Sequence, residues 1–357
     1  MHSNRPPATL ASLILLLWSA MCFAQSTIRI PADRPTIQDG IDAAQNGDTV
    51  LVAPGTYNEN IDFKGKAVTV TSGAKSFADA ASTVINGSQD GPVVVFQTGE
   101  TADAVLNGFT IQNGHASVAS QARGGGLFIN NASPTILNNI VARNFGCGVF
   151  VVNLASPLIQ GNDIRQTLYP PSRKNDALCH SASAGAGSGI GLFLSNIGDV
   201  RMIGNVIEDN VTDPAGDSGN PIGAGVLVTS PGRSLLLQEN VIRNNHTYGN
   251  AGLAIAGTGP VNKLVLVNNL FYGNEGREQF YPTQILIFGF SGTSSVGPNP
   301  TVTKINNTIY GRGQEMLYSF GPLNYCEQCV REQYALRAFE PTRGRLVVRS
   351  SRANFAN

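Results

Sequence analysis

One short phrase, rewritten along most of the chain, limits what this sequence can fold into. Asparagine followed two residues later by an apolar residue recurs at Asn139, Asn162, Asn205, Asn240, Asn269 and Asn307. The segments include LNNIVARN, IGNVIEDN, QENVIRNN, VNNLFYGN and INNTIYGR. The apolar partners are Val141, Ile164, Ile207, Ile242, Phe271 and Ile309, and NGFTIQNG reads as an earlier copy with Phe109 in the asparagine column. The shortest interval is 23 residues, from Asn139 to Asn162. Each unit also holds a glycine-led apolar run (GGGLFI, GCGVFV, GIGLFL, GAGVLV) and a shorter one (SPTIL, SPLIQ, SLLLQ). Three short strands in so few residues leave no room for a helix.

Coils of this kind stack so that equivalent strands pair in parallel and alternate side chains point inward. Like residues in one column then lie about 4.8 Å apart, close enough for asparagines to bond along the stack. The six asparagines are therefore assigned to a structural ladder. Because asparagine tolerates a left-handed backbone, the same residues are expected to make the sharp turn. Eight or nine coils fit between Val50 and Gly311, about 40 Å of solenoid. Its open end needs a cap, and PTIQDGIDAAQNGD supplies a short helix with Ile37, Ile41 and Ala44 on one face. The expected organisation is a signal peptide over 1–24, a cap over 25–49, an all-β parallel helix over 50–313 and an atypical tail over 314–357. That tail has neither glycine strand nor asparagine turn, and seven arginines fall in residues 312–357.

Lys+Arg and Asp+Glu balance at 24 each, so no basic surplus points to nucleic acid. Arg5 precedes an apolar run from Leu10 to Met21, and small Ala24 follows as a cleavage residue. The mature protein is read as exported, periplasmic or extracellular, with no transmembrane segment after the signal. Export permits disulfides, and Cys147 is expected to bridge Cys179, which lies about one coil later; CEQC at Cys326 and Cys329 is left as a bridge or two thiols. The oligomeric state is not legible.

The segment TIQDGIDAAQNGDTVLVAPGTYNENIDFKGKAVTV and the repeated NNxI turns resemble the right-handed parallel β-helix proteins of the pectin-lyase-like superfamily, over residues 27–313. The resemblance implies a right-handed coil. It does not imply an activity, because the superfamily spans polysaccharide lyases, polygalacturonases, pectin methylesterases and proteins without known chemistry. The Asn-Thr-Asp and Asp-Asp motifs of the polygalacturonases are missing here. So are the Gln-Asp-Thr-Leu and Asp-Phe-Ile-Phe-Gly segments of the methylesterases and the Arg- and Asp-rich motifs of the pectate lyases. No catalytic residue carries over.

Insertions narrow the search for a site. Gln166–Ser188, Asp209–Ile222 and Asn274–Gln284 all leave the coil at one corner, and repeat insertions collect on binding faces. Glu208, Asp209, Asp213, Asp217 and Arg243 are the catalytic candidates if the chain is an enzyme, a lyase or hydrolase of acidic polysaccharide. Asp213 and Asp217 could hold calcium, the one cofactor the sequence suggests; beside Pro214, Gly216 and Gly219 they also read as turn formers. Arg165, Tyr272 and Tyr310 are candidate glycan contacts. Arg165, Glu208 and Arg243 share one outward column, which equally suits an ion-pair ladder. With enzyme motifs missing, the favoured reading is a non-catalytic glycan-binding or cell-surface scaffold.

Overall fold

The computed structural model describes residues 25–87, 91–115, 124–167, 190–212, 223–229, 232–247, 251–257, 261–276, 284–289, 301–310, 315–319 and 324–325. The strands build three long sheets, the first of eleven strands and the second and third of nine each. One coil runs Thr49–Val52, Gly55–Asn58 and Ile61–Asp62 through the three sheets, and the chain rejoins the first at Thr69–Thr71. The ninth ends with Thr301–Ile305, Thr308–Tyr310 and Glu315–Ser319. Neighbouring strands are parallel and in register, so the chain is a parallel β-helix.

Strand alternation sorts side chains into columns. Leu106, Ile136, Ile159, Met202, Leu237 and Leu266 stack inside the first sheet. Ile111, Val141, Ile164, Ile207, Ile242 and Phe271 stack inside the second. All twelve are at most 1% exposed. Each such burial stabilises the coil by about 1.5–3 kcal/mol.

The turn from the first sheet to the second is two residues long in each coil from Gly108 onward. Its first residue has a left-handed backbone: Gly108, Asn138, Gly161, Gly204, Glu239, Asn268 or Asn306, with φ between 51° and 86°. Its second is the ladder residue. The turn-making role expected of the ladder asparagines thus belongs to the residue before each of them. Dividing the labour lets the ladder side chain point inward while its neighbour absorbs the strain, at low cost where that neighbour is Gly or Asn.

The ladder runs without a break. Asn139 Oδ1 accepts from Phe109 N, and Asn162, Asn205, Asn240, Asn269 and Asn307 each accept from the backbone N–H of the asparagine one coil earlier at 2.9–3.0 Å. Each Nδ2 also donates to a carbonyl of the coil before, at Leu106, Ile136, Ile159, Met202, Leu237 and Leu266 in turn. The corner groups left over by the sheets are thereby satisfied inside the core.

The next corner begins the same way. Arg143, Gln166, Asp209, Asn244 and Gly273 are left-handed, and Asn144, Thr167, Asn210, Asn245 and Asn274 follow them. Asn210 accepts from Thr167 N and Oγ1, Asn245 from Asn210, and Asn274 from Asn245. This second ladder, not assigned from the sequence, explains the second asparagine of the phrase. It also explains the glycine-led strand. A Cβ on Gly191 would lie 2.8 Å from Asn210 Nδ2 and 2.8 Å from Gly225 O, so glycine is there for space and not for φ.

The cap helix α1 spans Ile37–Ala43, with Ile37 and Ile41 fully buried. The Glu59 carboxylate accepts from Ile37 N and Gln38 N at 2.9 Å, and Lys66 Nζ donates to the carbonyls of Ile41, Asp42 and Ala44. Both helix ends are thus tied to the first coil. A strand the sequence did not announce, Thr27–Ile30, precedes α1 and pairs with Thr49–Val52. At the other end pairing continues into the segment read as tail. Glu315–Ser319 joins Ile285–Gly289, and Asn324–Tyr325 joins Thr301–Val302. Residues 326–357, with Cys326 and Cys329, and residues 1–24, expected to be a signal peptide, lie outside the described residues. Among the described residues no helix is long and apolar enough to cross a membrane.

Candidate functional site

The outer faces of the second and third sheets differ in chemistry. On the third, Phe128, Phe150 and Phe193 stack with ring centroids 5.8 and 5.0 Å apart and join Leu227 and Ala254 in a buried apolar cluster. On the second, one outward column reads Arg165, Glu208, Arg243, Tyr272, Tyr310 on five successive strands.

Glu208 sits between the two arginines. Arg243 Nε and Nη2 both approach Glu208 Oε2 at 2.5 Å, and Arg165 Nη1 lies 3.9 Å from Glu208 Oε1. Arg243 Nη1 donates to the Tyr272 hydroxyl at 2.6 Å while its guanidinium carbon lies 5.8 Å from that ring's centroid. Burial pulls the Arg243 pKa down, but the hydrogen bonds with Tyr272 and Glu208 outweigh it and hold the group above its ordinary range. Glu208 is largely covered, with 11% of its side chain exposed, against 36% for Arg165 and 37% for Arg243. The two arginine side chains are thus about three times as exposed as the anion between them.

Asp163, a residue not picked out in the sequence, completes the group. It stands on the Arg165 strand in the other outward column, where its paired neighbours are Ile140 and Val206. Its Oδ2 lies 3.1 Å from Arg165 Nη1, and its Oδ1 is buried without a hydrogen-bond partner. Burial pushes the Asp163 carboxyl up to about 6; Arg165 draws it back down, and Glu208 raises it further. The signal was present in GNDIR: one carboxylate in a column otherwise made of Thr110, Ile140, Val206, Val241, Leu270 and Thr308.

Of the catalytic candidates, Glu208 and Arg243 are in contact. Asp209 is exposed at the left-handed corner beside them. Asp213 and Asp217, and with them the calcium expectation, lie outside the described residues, as does Cys179. Cys147 is disulfide-bonded. Among the described residues no three of His, Cys, Asp and Glu are gathered to hold a metal ion. His246, on the same coil as Arg243, has its Nδ1 3.5 Å from Oε2 of Glu275 on the next coil. Tyr310 is 76% exposed and Tyr272 half-buried.

A model of the right-handed β-helix region matches residues 57–309, most of the chain. The chain belongs to the right-handed β-helix family. The match agrees with the resemblance in sequence to the right-handed parallel β-helix proteins of the pectin-lyase-like superfamily. Among solved structures it is similar to a pectin methylesterase from carrot, at 12% identity and a TM-score of 0.34, over 85% of this chain and 90% of that one. No curated protein matches the chain by sequence.

Proposed function

We propose that this β-helix is an exported, non-catalytic glycan-binding scaffold whose contact surface is the outer face of the second sheet. The observation that carries the reading is the column Arg165, Glu208, Arg243, Tyr272, Tyr310. It sets two solvent-reaching guanidinium edges beside two phenol rings on rigid strands, about 4.8 Å apart per coil. Sugar hydroxyls and carboxylates match guanidinium N–H groups, and sugar rings stack on phenols. Glu208 already shares its oxygens with two arginines, which suits a fixed recognition surface better than a proton shuttle. The exported part of the reading is supported by the apolar run from Leu10 to Met21 with Arg5 before it and Ala24 after it. The test is retention of the chain from residue 25 on a panel of uronate and neutral polysaccharides, with unsaturated product and new reducing ends followed in parallel. Retention without product, weakened by Arg243→Ala, supports the scaffold.

One observation favours a second reading, a lyase or hydrolase of acidic polysaccharide: burial places the Asp163 carboxyl near neutrality, where acid–base groups work best. Calcium at Asp213 and Asp217 belongs to this alternative. Product in the same assay, abolished by Asp163→Asn, would establish it in place of the first.

A further inference from the structure

The scaffold reading leaves unexplained why a glycan surface should hold two carboxylates against its two arginines. With Asp163 and Glu208 ionised, the charges of Arg165 and Arg243 are cancelled from within. We propose that Asp163, Arg165, Glu208 and Arg243 form an acid-gated binding site for anionic glycan groups, in which protonation of Asp163 frees Arg165 and leaves the cluster with a net positive charge. This inference rests on the reading above and names the ligand class of that surface, the carboxylate of a uronate or the sulfate of a sulfated sugar.

Geometry carries the argument. Arg165 Nη1 reaches Asp163 Oδ2 at 3.1 Å but Glu208 Oε1 only at 3.9 Å, so Asp163 is its nearer counter-charge. Glu208 is held more closely by Arg243 and cannot fully replace it. Asp163 is 3% exposed and does not meet the ligand; the arginine edges, about a third exposed, do. The orphaned Oδ1 is a buried acceptor with nothing to accept from, and protonation of the carboxyl relieves the cost of burying an ionised group. Burial places that event near pH 6. The charged groups that act on Asp163 are Arg165 on its own strand, Glu208 and exposed Asp209 from the next, and Arg243 from the one after. Asp209 lowers the total charge equally in both states, and at the surface it is screened. A unit of charge gained about 6 Å from the bound anion corresponds to about tenfold in affinity at an effective dielectric of about 40.

Two measurements on the chain from residue 25 test this, each at pH 5 and pH 7.5, in wild type and Asp163→Asn. The first is binding of inorganic sulfate, read as the concentration that raises the melting temperature. The second is binding of polygalacturonate, dextran sulfate and unsubstituted dextran. The expected result is about tenfold tighter binding of sulfate and both anionic polymers at pH 5 in wild type. Asp163→Asn should bind at both pH values as wild type does at pH 5. A pH dependence that survives Asp163→Asn overturns the gate. Wild-type sulfate binding that is equal at both pH values, or absent at both, overturns it as well. Gated sulfate binding without retention of any polymer upholds the anion site and removes the glycan reading. Polymer retention without gating does the reverse.

Discussion

The two asparagine-bearing corners of the coil start from one plan and end differently. Both place a left-handed residue before an inward ladder residue, and both ladders are buried and bonded from coil to coil. At the first corner the next strand begins at once, so each turn from Gly108 onward is two residues. At the second, the chain runs from Arg165 to Ile190, from Glu208 to Val226 and from Tyr272 to Ile285 before it rejoins the third sheet. The first corner can only build. The second can build and then extend, because its ladder residue closes the coil before the extension starts. The charged cluster lies on the strands that lead into that second corner, which is where a rigid scaffold meets variable chain.

Breaking each ladder at its centre tests this division, and the largest effect is expected there. Asn205→Ala leaves the buried N–H of Asn162 without its acceptor and takes the Nδ2 donor away from the Ile159 carbonyl. At about 1–3 kcal/mol per orphaned group, the loss should be about 3–4 kcal/mol. Asn210→Ala leaves the Thr167 N–H without its acceptor and takes a side-chain donor from the Ile164 carbonyl, but the Thr167 hydroxyl can turn to a new acceptor, so about 2–3 kcal/mol is expected. Asn307 is half-buried near the end of the stack, and Asn307→Ala should cost about 1 kcal/mol. Urea unfolding midpoints decide it. Equal losses at all three would mean the ladder is decoration on a core that holds without it.

Asp163 gives the next effect, and its sign is opposite. Its folded pKa, about 6, lies above its ordinary value of 3.8, so ionising it costs the folded state. Stability from this group is fully present below about pH 3.8 and falls away as pH rises through about 6, a difference of about 3 kcal/mol. Asp163→Asn should therefore stabilise the protein by up to about 3 kcal/mol at pH 7.5 and by little at pH 4. Thermal denaturation of both proteins across that range reads it directly. Stabilisation that did not change with pH would mean that ionisation of the carboxyl is not the source of the cost.

Most of the frame could be read from residue order because the first corner keeps its spacing. Asn139 to Asn307, their apolar partners and the glycine-led runs are one pattern, and the pattern is the fold. Phe109 was legible in the asparagine column for the same reason. The left-handed residue was assigned one position late, since Asn138-Asn139 and Asn268-Asn269 look alike from sequence and only Gly161, Gly204 and Glu239 separate the roles. The second ladder was harder, because Thr167 interrupts it and the insertions after it spread the repeat. The site was half legible: Arg165, Glu208 and Arg243 declare themselves by register, whereas Asp163 needed burial to show its importance. Strands 315–319 and 324–325 carry no repeat signature, so pairing alone reveals them.

The glycine-led strand offers a third way to press on the second corner, of intermediate size. Gly191→Ala must displace either Asn210 or the backbone of Gly225, each 2.8 Å from the new methyl group. A cost of about 2 kcal/mol is expected, in the usual range for overpacking. Adding Asn210→Ser to Gly191→Ala removes one of the two clashes, so the pair should cost less than the sum of its members by about 1 kcal/mol. Strict additivity would mean that the Gly225 carbonyl alone excludes the methyl group, and that glycine serves the sheet and not the ladder.

The smallest effect on stability should come from the end of the outward column, where structure and function separate. Tyr310 is 76% exposed on the last strand of the second sheet, so Tyr310→Ala should change stability by less than about 0.5 kcal/mol. Tyr272, whose hydroxyl is engaged by Arg243, should cost more when removed, and Tyr272→Phe isolates that one bond at about 1–2 kcal/mol. If the column is a glycan surface, Tyr310→Ala weakens retention on polysaccharide several-fold while the melting curve stays in place. A phenol that only shields the strand edge gives the opposite pattern, a lower melting temperature with retention unchanged. Measured side by side on Tyr310→Ala and Tyr272→Phe, these two quantities show where the ion-pair ladder stops being structure and begins to be a surface for a ligand.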